Sequence, residues 1–187
     1  MDRLKEKLEN IDLDINELDK IYEEYKDNAQ VVNLIAMNIS LRTSVKNREP
    51  EKCSTLSKIL TKLSKSTDMA TRWSVAKNPC TPIETLKELA HDKVNLVRAL
   101  VATNPSSPKE ILAKFFSDEK IVRDGLSGNP STPAKYLQIL ADDKDKMVRL
   151  RIATNPSTPK DTLEKLCNDI DTNVQIKAKE SLENETN

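Results

Sequence analysis

One five-residue word constrains this chain more than any other feature: NPCTP at 78–82, NPSSP at 104–108, NPSTP at 129–133 and NPSTP again at 155–159, at intervals of 26, 25 and 26 residues. Self-similarity at a fixed period of this length implies stacked supersecondary units, each covering the hydrophobic face of its neighbour. The composition agrees, because 37% apolar and 32% charged residues in a chain of 187 is too little apolar content for one deep core. Only two glycines but nine prolines are present, all but Pro50 between 79 and 159, so punctuation is by proline at fixed places.

Aligned on the asparagine of each word, the copies agree beyond it. Leu86, Leu112, Leu137 and Leu163 follow at one shared offset, and Leu89, Phe115, Leu140 and Leu166 one helical turn later. Ala90, Phe116, Ala141 and Cys167 come next, and then a constant aspartate, Asp92, Asp118, Asp143 or Asp169. A second segment runs to the next asparagine, as in LVRALVATN, IVRDGLSGN and MVRLRIATN, with ATRWSVAKN ahead of the first copy. The unit is a short helix, a turn and a second short helix.

The word reads as a corner. Thr81, Ser107, Thr132 and Thr158 stand where an N-cap would, accepting from the free amides of the next helix. Pro82, Pro108, Pro133 and Pro159 then fall at the first helical position, where a missing N–H costs nothing. Glu84 and Glu110 complete a capping box, Asp161 is a shorter version of it, and Lys135 breaks the pattern. The first proline of each word stops the preceding helix, and the asparagine hydrogen-bonds its own turn. A repeated ligand-binding loop is the competing reading, set aside because each residue of the word already has a backbone task.

Arg72, Arg98, Arg123 and Arg149 each precede their asparagine by six residues. Around a helix turning about 100° per residue, Arg98 falls on the side of Val97, Val101 and Ala102. Ala99, Leu100 and Thr103 point away. A half-buried arginine needs a partner, and the recurring aspartates of the preceding turn predict an Asp–Arg ladder between neighbouring units. A row of phosphate-binding guanidiniums is the alternative use of the same geometry.

The pattern N-P-x-[ST]-P-x3-L-x2-L, then D, then V-R-x2-[VIL]-[AS]-x-N resembles the leucine-rich repeat variant, a relative of HEAT-like helical repeats, closely over residues 68–182. The resemblance implies an all-α, right-handed α-solenoid of about 25-residue repeats, alternating α-helices with short helical or 3₁₀ segments. One described member of that family carries an N-terminal cysteine cluster for an iron–sulfur centre. This chain departs from it, since Cys53 is the sole cysteine before the repeats and Cys80 replaces the serine of positions 106, 131 and 157. No cofactor and no metal are therefore expected.

The expected organisation is an acidic N-terminal helical cap over 1–30, a degenerate helical repeat over 31–67, four repeats with a closing helix over 68–182, and a frayed tail over 183–187. Residues 1–28 carry ten acidic and five basic side chains, with Leu4, Leu8, Ile11, Ile15, Leu18, Ile21, Tyr22 and Tyr25 at helical spacing. Asn47 and Pro50 echo the corner, and Leu56, Ile59, Leu60 and Leu63 continue it. At the far end, Lys179 stands where complete copies place Ala102 or Ala153.

An odd number of cysteines at wide spacing implies a reducing compartment, and no stretch resembles a signal peptide or a membrane span. A cytoplasmic monomer is the expectation. His91, the only histidine, lies beside Asp92, but without a nucleophile the pair reads as a solvated turn. No phosphate loop, zincin motif or carboxylate pair stands out. The leading reading is thus a non-enzymatic protein-interaction scaffold. A nucleic-acid-binding repeat protein comes second, on 25 basic against 20 acidic residues over 31–187. An enzyme with an unrecognised site comes third.

If a partner binds, the outward positions of the second helices should meet it: Trp73, Ser74 and Lys77; Ala99, Leu100 and Thr103; Asp124, Gly125 and Gly128; Leu150, Arg151 and Thr154. These positions change from copy to copy while the structural ones do not. Solenoids bind along such surfaces.

Overall fold

A computed structural model describes residues 2–44 and 54–185, and among these the chain is all-helical, with thirteen α-helices and no strand. Asn47, Pro50 and Cys53 lie outside the described residues. The fold class is an α-solenoid of helical repeats. The chain divides into two compact units, Met1–Val97 and Arg98–Asn187.

The first unit holds α1 (Asp2–Glu9), α2 (Ile15–Tyr25), α3 (Ala29–Ser44), α4 (Ser54–Leu63), α5 (Met69–Lys77) and α6 (Ile83–Leu89), and α7 (Asn95–Thr103) begins in it. Helices α1, α3 and α5 stack side by side, and α2 and α4 pack against them and each other. Their shared core contains Leu8, Leu18, Ile35, Ile39, Ile59 and Leu63, all fully buried. Asp14, Asn28 and Asp68 start α2, α3 and α5 by accepting first-turn amides. The acidic first helices thus bury their apolar stripe as the 3.6 period dictates, with Leu18 at 0% exposure.

The second unit holds the C-terminal half of α7, then α8 (Lys109–Leu112), a 3₁₀ turn (Phe115–Ser117), α9 (Lys120–Gly128), α10 (Ala134–Leu140), α11 (Lys146–Thr154), α12 (Lys160–Leu166) and α13 (Thr172–Glu185). Helix α11 lies between α9 and α13, and α12 packs on α11 and α13. Leu112, Leu126, Leu137, Val148, Ile152 and Leu163 form the core. Helix α13 continues through Glu185, into the segment expected to fray.

The corner is built differently from the expectation in one respect. Thr81, Ser107, Thr132 and Thr158 are buried, and their hydroxyls donate backwards to the carbonyls of Val75, Val101, Leu126 and Ile152 at 2.6, 2.6, 2.7 and 2.7 Å. They close the end of the helix before the corner and do not cap the one after it. The following proline is itself the N-cap, with extended backbone and no side-chain cap bond. The capping box is not formed, because the amide it would use is taken: Thr81 N–H donates to Asn78 O across a β-turn with Pro79 second. The physical reason is that an orphan carbonyl at a buried helix end must find a donor. The prolines remove the N–H groups that would otherwise supply one.

The asparagine does two things at once. Its Oδ1 accepts from the amide two residues on, as at Cys80, Ser106, Ser131 and Ser157. In the second unit its Nδ2 also reaches the preceding repeat: Asn129 donates to Ala102 O (2.7 Å) and Asn104 O (3.0 Å), and Asn155 to Ser127 O (2.7 Å) and Asn129 O (3.0 Å). Ser181, in the same frame, donates to Ala153 O at 2.7 Å. In the first unit Asn38 donates to Leu8 O and Asn10 O at 2.8 and 2.9 Å, so the frame of the repeats already holds in α1 and α3.

Gly125 has a steric role. A Cβ placed there would lie 2.7 Å from the backbone oxygen of Ala99, so the glycine lets α9 approach α7 closely. At Gly128 the nearest atoms are the Arg151 side chain, at 3.3 Å, which can move. Gly125→Ala should therefore destabilise the protein by about 1–3 kcal/mol, while Gly128→Ala should stabilise it by about 0.4–1 kcal/mol. Leu137→Ala, which empties a fully buried site, should cost about 2–5 kcal/mol. Urea unfolding of the three variants checks all three signs.

Candidate interaction surface

Any surface the repeats offer rests on what fixes neighbouring second helices against the turns. Each of the four recurring arginines holds an aspartate in the turn that follows the next helix, not the one that precedes. Nε and Nη2 of Arg72 bond the two oxygens of Asp92 at 2.6 and 3.2 Å, and Arg123 with Asp143 (2.6, 3.1 Å) and Arg149 with Asp169 (2.7, 3.0 Å) repeat this. Arg98 and Asp118 pair likewise at 2.9 and 2.8 Å. The preceding turn contributes backbone instead, since Nη1 of Arg72 donates to Ser66 O and Thr67 O, that of Arg123 to Asp118 O and that of Arg149 to Asp143 O. A guanidinium is a fixed planar fork, so one edge takes a carboxylate and the remaining nitrogen takes a carbonyl. In the second unit this makes a chain. Asp143 receives Arg123 on its side chain and Arg149 on its backbone, and Gln175, in the arginine's frame, keeps only the backbone half by donating to Asp169 O at 2.5 Å.

The carboxylates are strongly held. Burial pushes Asp92 and Asp143 up, but Arg72 and Arg123, helped by the Val94 and Asp145 amides, outweigh it and hold both below the ordinary range. At Asp118 and Asp169 the arginine hydrogen bond is the largest influence, and both carboxyls are again lowered. With these nitrogens engaged, the row of arginines is a structural ladder. Asp92 is engaged by Arg72, and His91 is exposed in its turn. Cys80 and Cys167 are half-buried thiols, and the described residues contain no cluster of three metal-ligating side chains. No described helix is long and apolar enough to cross a membrane.

The twelve outward positions divide by burial. In the first unit Trp73 and Ser74 are half-buried and Lys77 is exposed, its ammonium 5.4 Å from the Trp73 ring centre. In the second unit Ala99 (8% exposed) and Gly125 are buried by the close helix approach, so they offer backbone and not side chain to a ligand. Leu100, Asp124, Gly128 and Leu150 are half-buried, and Thr103, Arg151 and Thr154 are exposed. Arg151 lies across Gly128 and pairs with Asp124 at 2.8 Å. Sequence reasoning omitted Ile121 and Met147, 38% and 43% exposed, and Leu96 in the first unit at 40%. Each stands two residues before the arginine, and the same angular step taken one turn backwards places them on the outward face.

No protein family matches this sequence, and no curated protein matches it. A solved structure described as "a leucine-rich repeat variant with a novel repetitive protein structural motif" is similar to it, with a TM-score of 0.53 and 22% identity over 88% of this chain and 72% of that one. The likeness is one of fold, and it agrees with the resemblance carried by the N-P-x-[ST]-P pattern.

Two measurements bear on the ladder. Asp143→Asn, which leaves Arg123 without its carboxylate, should cost about 3–5 kcal/mol in denaturation at neutral pH. A carboxyl whose folded pKa is lowered contributes stability that is complete above the unfolded value, about 3.9, and disappears as pH falls through the folded value. Thermal melts should therefore be flat above that pH and decline steeply below it, and the Asp143→Asn protein should decline less.

Proposed function

We propose that this protein is a non-enzymatic scaffold that binds a protein partner along the outward face of its second helices. The observation that carries the reading is the pair of exposed apolar side chains in one frame of successive repeats of the second unit, Ile121 and Met147; the first unit by itself fills that frame with exposed Leu96. Isolated exposed apolar residues are ordinary, but the same frame filled in successive repeats makes a patch. Around it the neighbouring positions differ from repeat to repeat, one frame holding Asp124 and then Leu150, another Gly125 and then Arg151. An extended ligand would meet a different environment at each unit.

The nucleic-acid reading has less support. Its natural phosphate ligands, the four arginines, already give Nε and Nη2 to aspartates. Ile121→Ser with Met147→Ser should abolish recovery of a partner from cell extract while leaving the helical circular-dichroism spectrum unchanged. Undiminished recovery, or double-stranded DNA binding that falls steeply with salt, would overturn the proposal.

A further inference from the structure

The repeat that begins at Asn104 departs from its neighbours on its first-helix side as well. Elsewhere the first helix runs unbroken for seven residues, as in α6, α10 and α12, but here α8 has four and gives way to the 3₁₀ turn Phe115–Ser117. Phe116 stands in the broken stretch. Its frame holds Ala90 and Ala141 in other copies, 6% and 3% exposed, and a slot closed over a methyl group cannot take a benzyl group. The ring is turned out, 37% exposed, and stacks on Tyr136 of the next repeat with centres 5.4 Å apart. Beside Tyr136 on α10, one turn on, is Ile139, 43% exposed.

Charge changes at the same place. Outer positions in this frame form ion pairs between successive first helices at two places, Lys65 with Glu88 in the first unit and Lys165 with Asp142 (2.5 Å) in the second. The corresponding positions here are Ser117 and Ile139. Lys135 stands where the other copies have Glu84, Glu110 and Asp161, and its ammonium is 6.0 Å from the Tyr136 ring centre. Lys114 is exposed two residues before Phe116. Among the described residues neither lysine has an ion-pair partner.

We infer that Phe116, Tyr136 and Ile139, with Lys114 and Lys135, form a second docking site, for an acidic peptide segment carrying a leucine or aromatic side chain. The aromatic pair supplies a flat apolar contact of the kind that anchors interfaces. The unpaired lysines supply the complementary charge, and the sign reversal at Lys135 favours carboxylates over a basic ligand. The site lies on first helices and is independent of the second-helix face.

The test is selection of random displayed peptides on the intact protein, followed by affinity measurement of the enriched sequences. Phe116→Ala and Lys135→Glu restore the residues of neighbouring repeats, so both variants should fold. Enriched peptides should place acidic residues beside a leucine or aromatic, and each variant should weaken them by about tenfold or more. Ile121→Ser should leave their affinity unchanged. The inference fails if nothing is enriched, if the enriched sequences lack acidic residues, or if they bind the two variants as tightly as the intact protein. It also fails if the face instead joins two copies of this chain, seen as a concentration-dependent dimer that Phe116→Ala dissolves.

Discussion

The structure depends on how the ends of very short helices are satisfied. A helix of seven to nine residues, such as α10 or α11, leaves orphan carbonyls amounting to about half its backbone acceptors. It is also too short to be stable alone. The asparagine and the Ser or Thr of the corner answer this together. The hydroxyl closes its own preceding helix, and the carboxamide of Asn129 or Asn155 closes the second helix of the preceding repeat, α7 or α9. Both side chains are buried, so the bonds form where solvent does not compete. Within the second unit each such repeat is hydrogen-bonded to the one before it by the residue that ends it.

The Arg–Asp ladder adds registry to that connection. Burying a guanidinium and a carboxylate gains little net stability, because desolvation offsets most of their attraction. Once buried, however, each tolerates only its partner's geometry, and the two-point contact of Arg149 with Asp169 fixes the turn after α12 against α11. The carbonyl bond from Nη1 locks the same helix to the turn before it. Gln175 shows which half of this is separable, since a neutral amide keeps the carbonyl bond without needing a carboxylate.

The repeat between Asn104 and Asn129 is where these rules are kept at the core and relaxed outside it. Its corner, arginine and aspartate are intact, and Phe115 and Leu126 are buried as their frame requires. What differs is Gly125 beneath Ala99 and Phe116 turned outward, against Lys135, reversed in sign, on the first helix of the next repeat. A repeat that keeps its core and alters both outer faces can change what it presents without disturbing its neighbours, since stability in such arrays is a sum of local and nearest-neighbour contributions.

By itself the sequence determined the period, the all-helical class, the core leucines and the pairing of arginine with aspartate, because each depends on residue type at fixed spacing along one chain. It could not decide the direction of the bonds. A threonine hydroxyl between two helices serves either end equally well on paper, and only the folded β-turn, which occupies the Thr81 amide with Asn78 O, sent it backwards. Aspartates before and after each arginine were likewise equivalent in a periodic sequence, and the stacking of helices put the later one within reach. The outward face was legible as an angle, but Ala99 and Gly125 left it because two backbones meet there. How closely neighbouring helices approach is set by packing between repeats, and no spacing within one repeat records it.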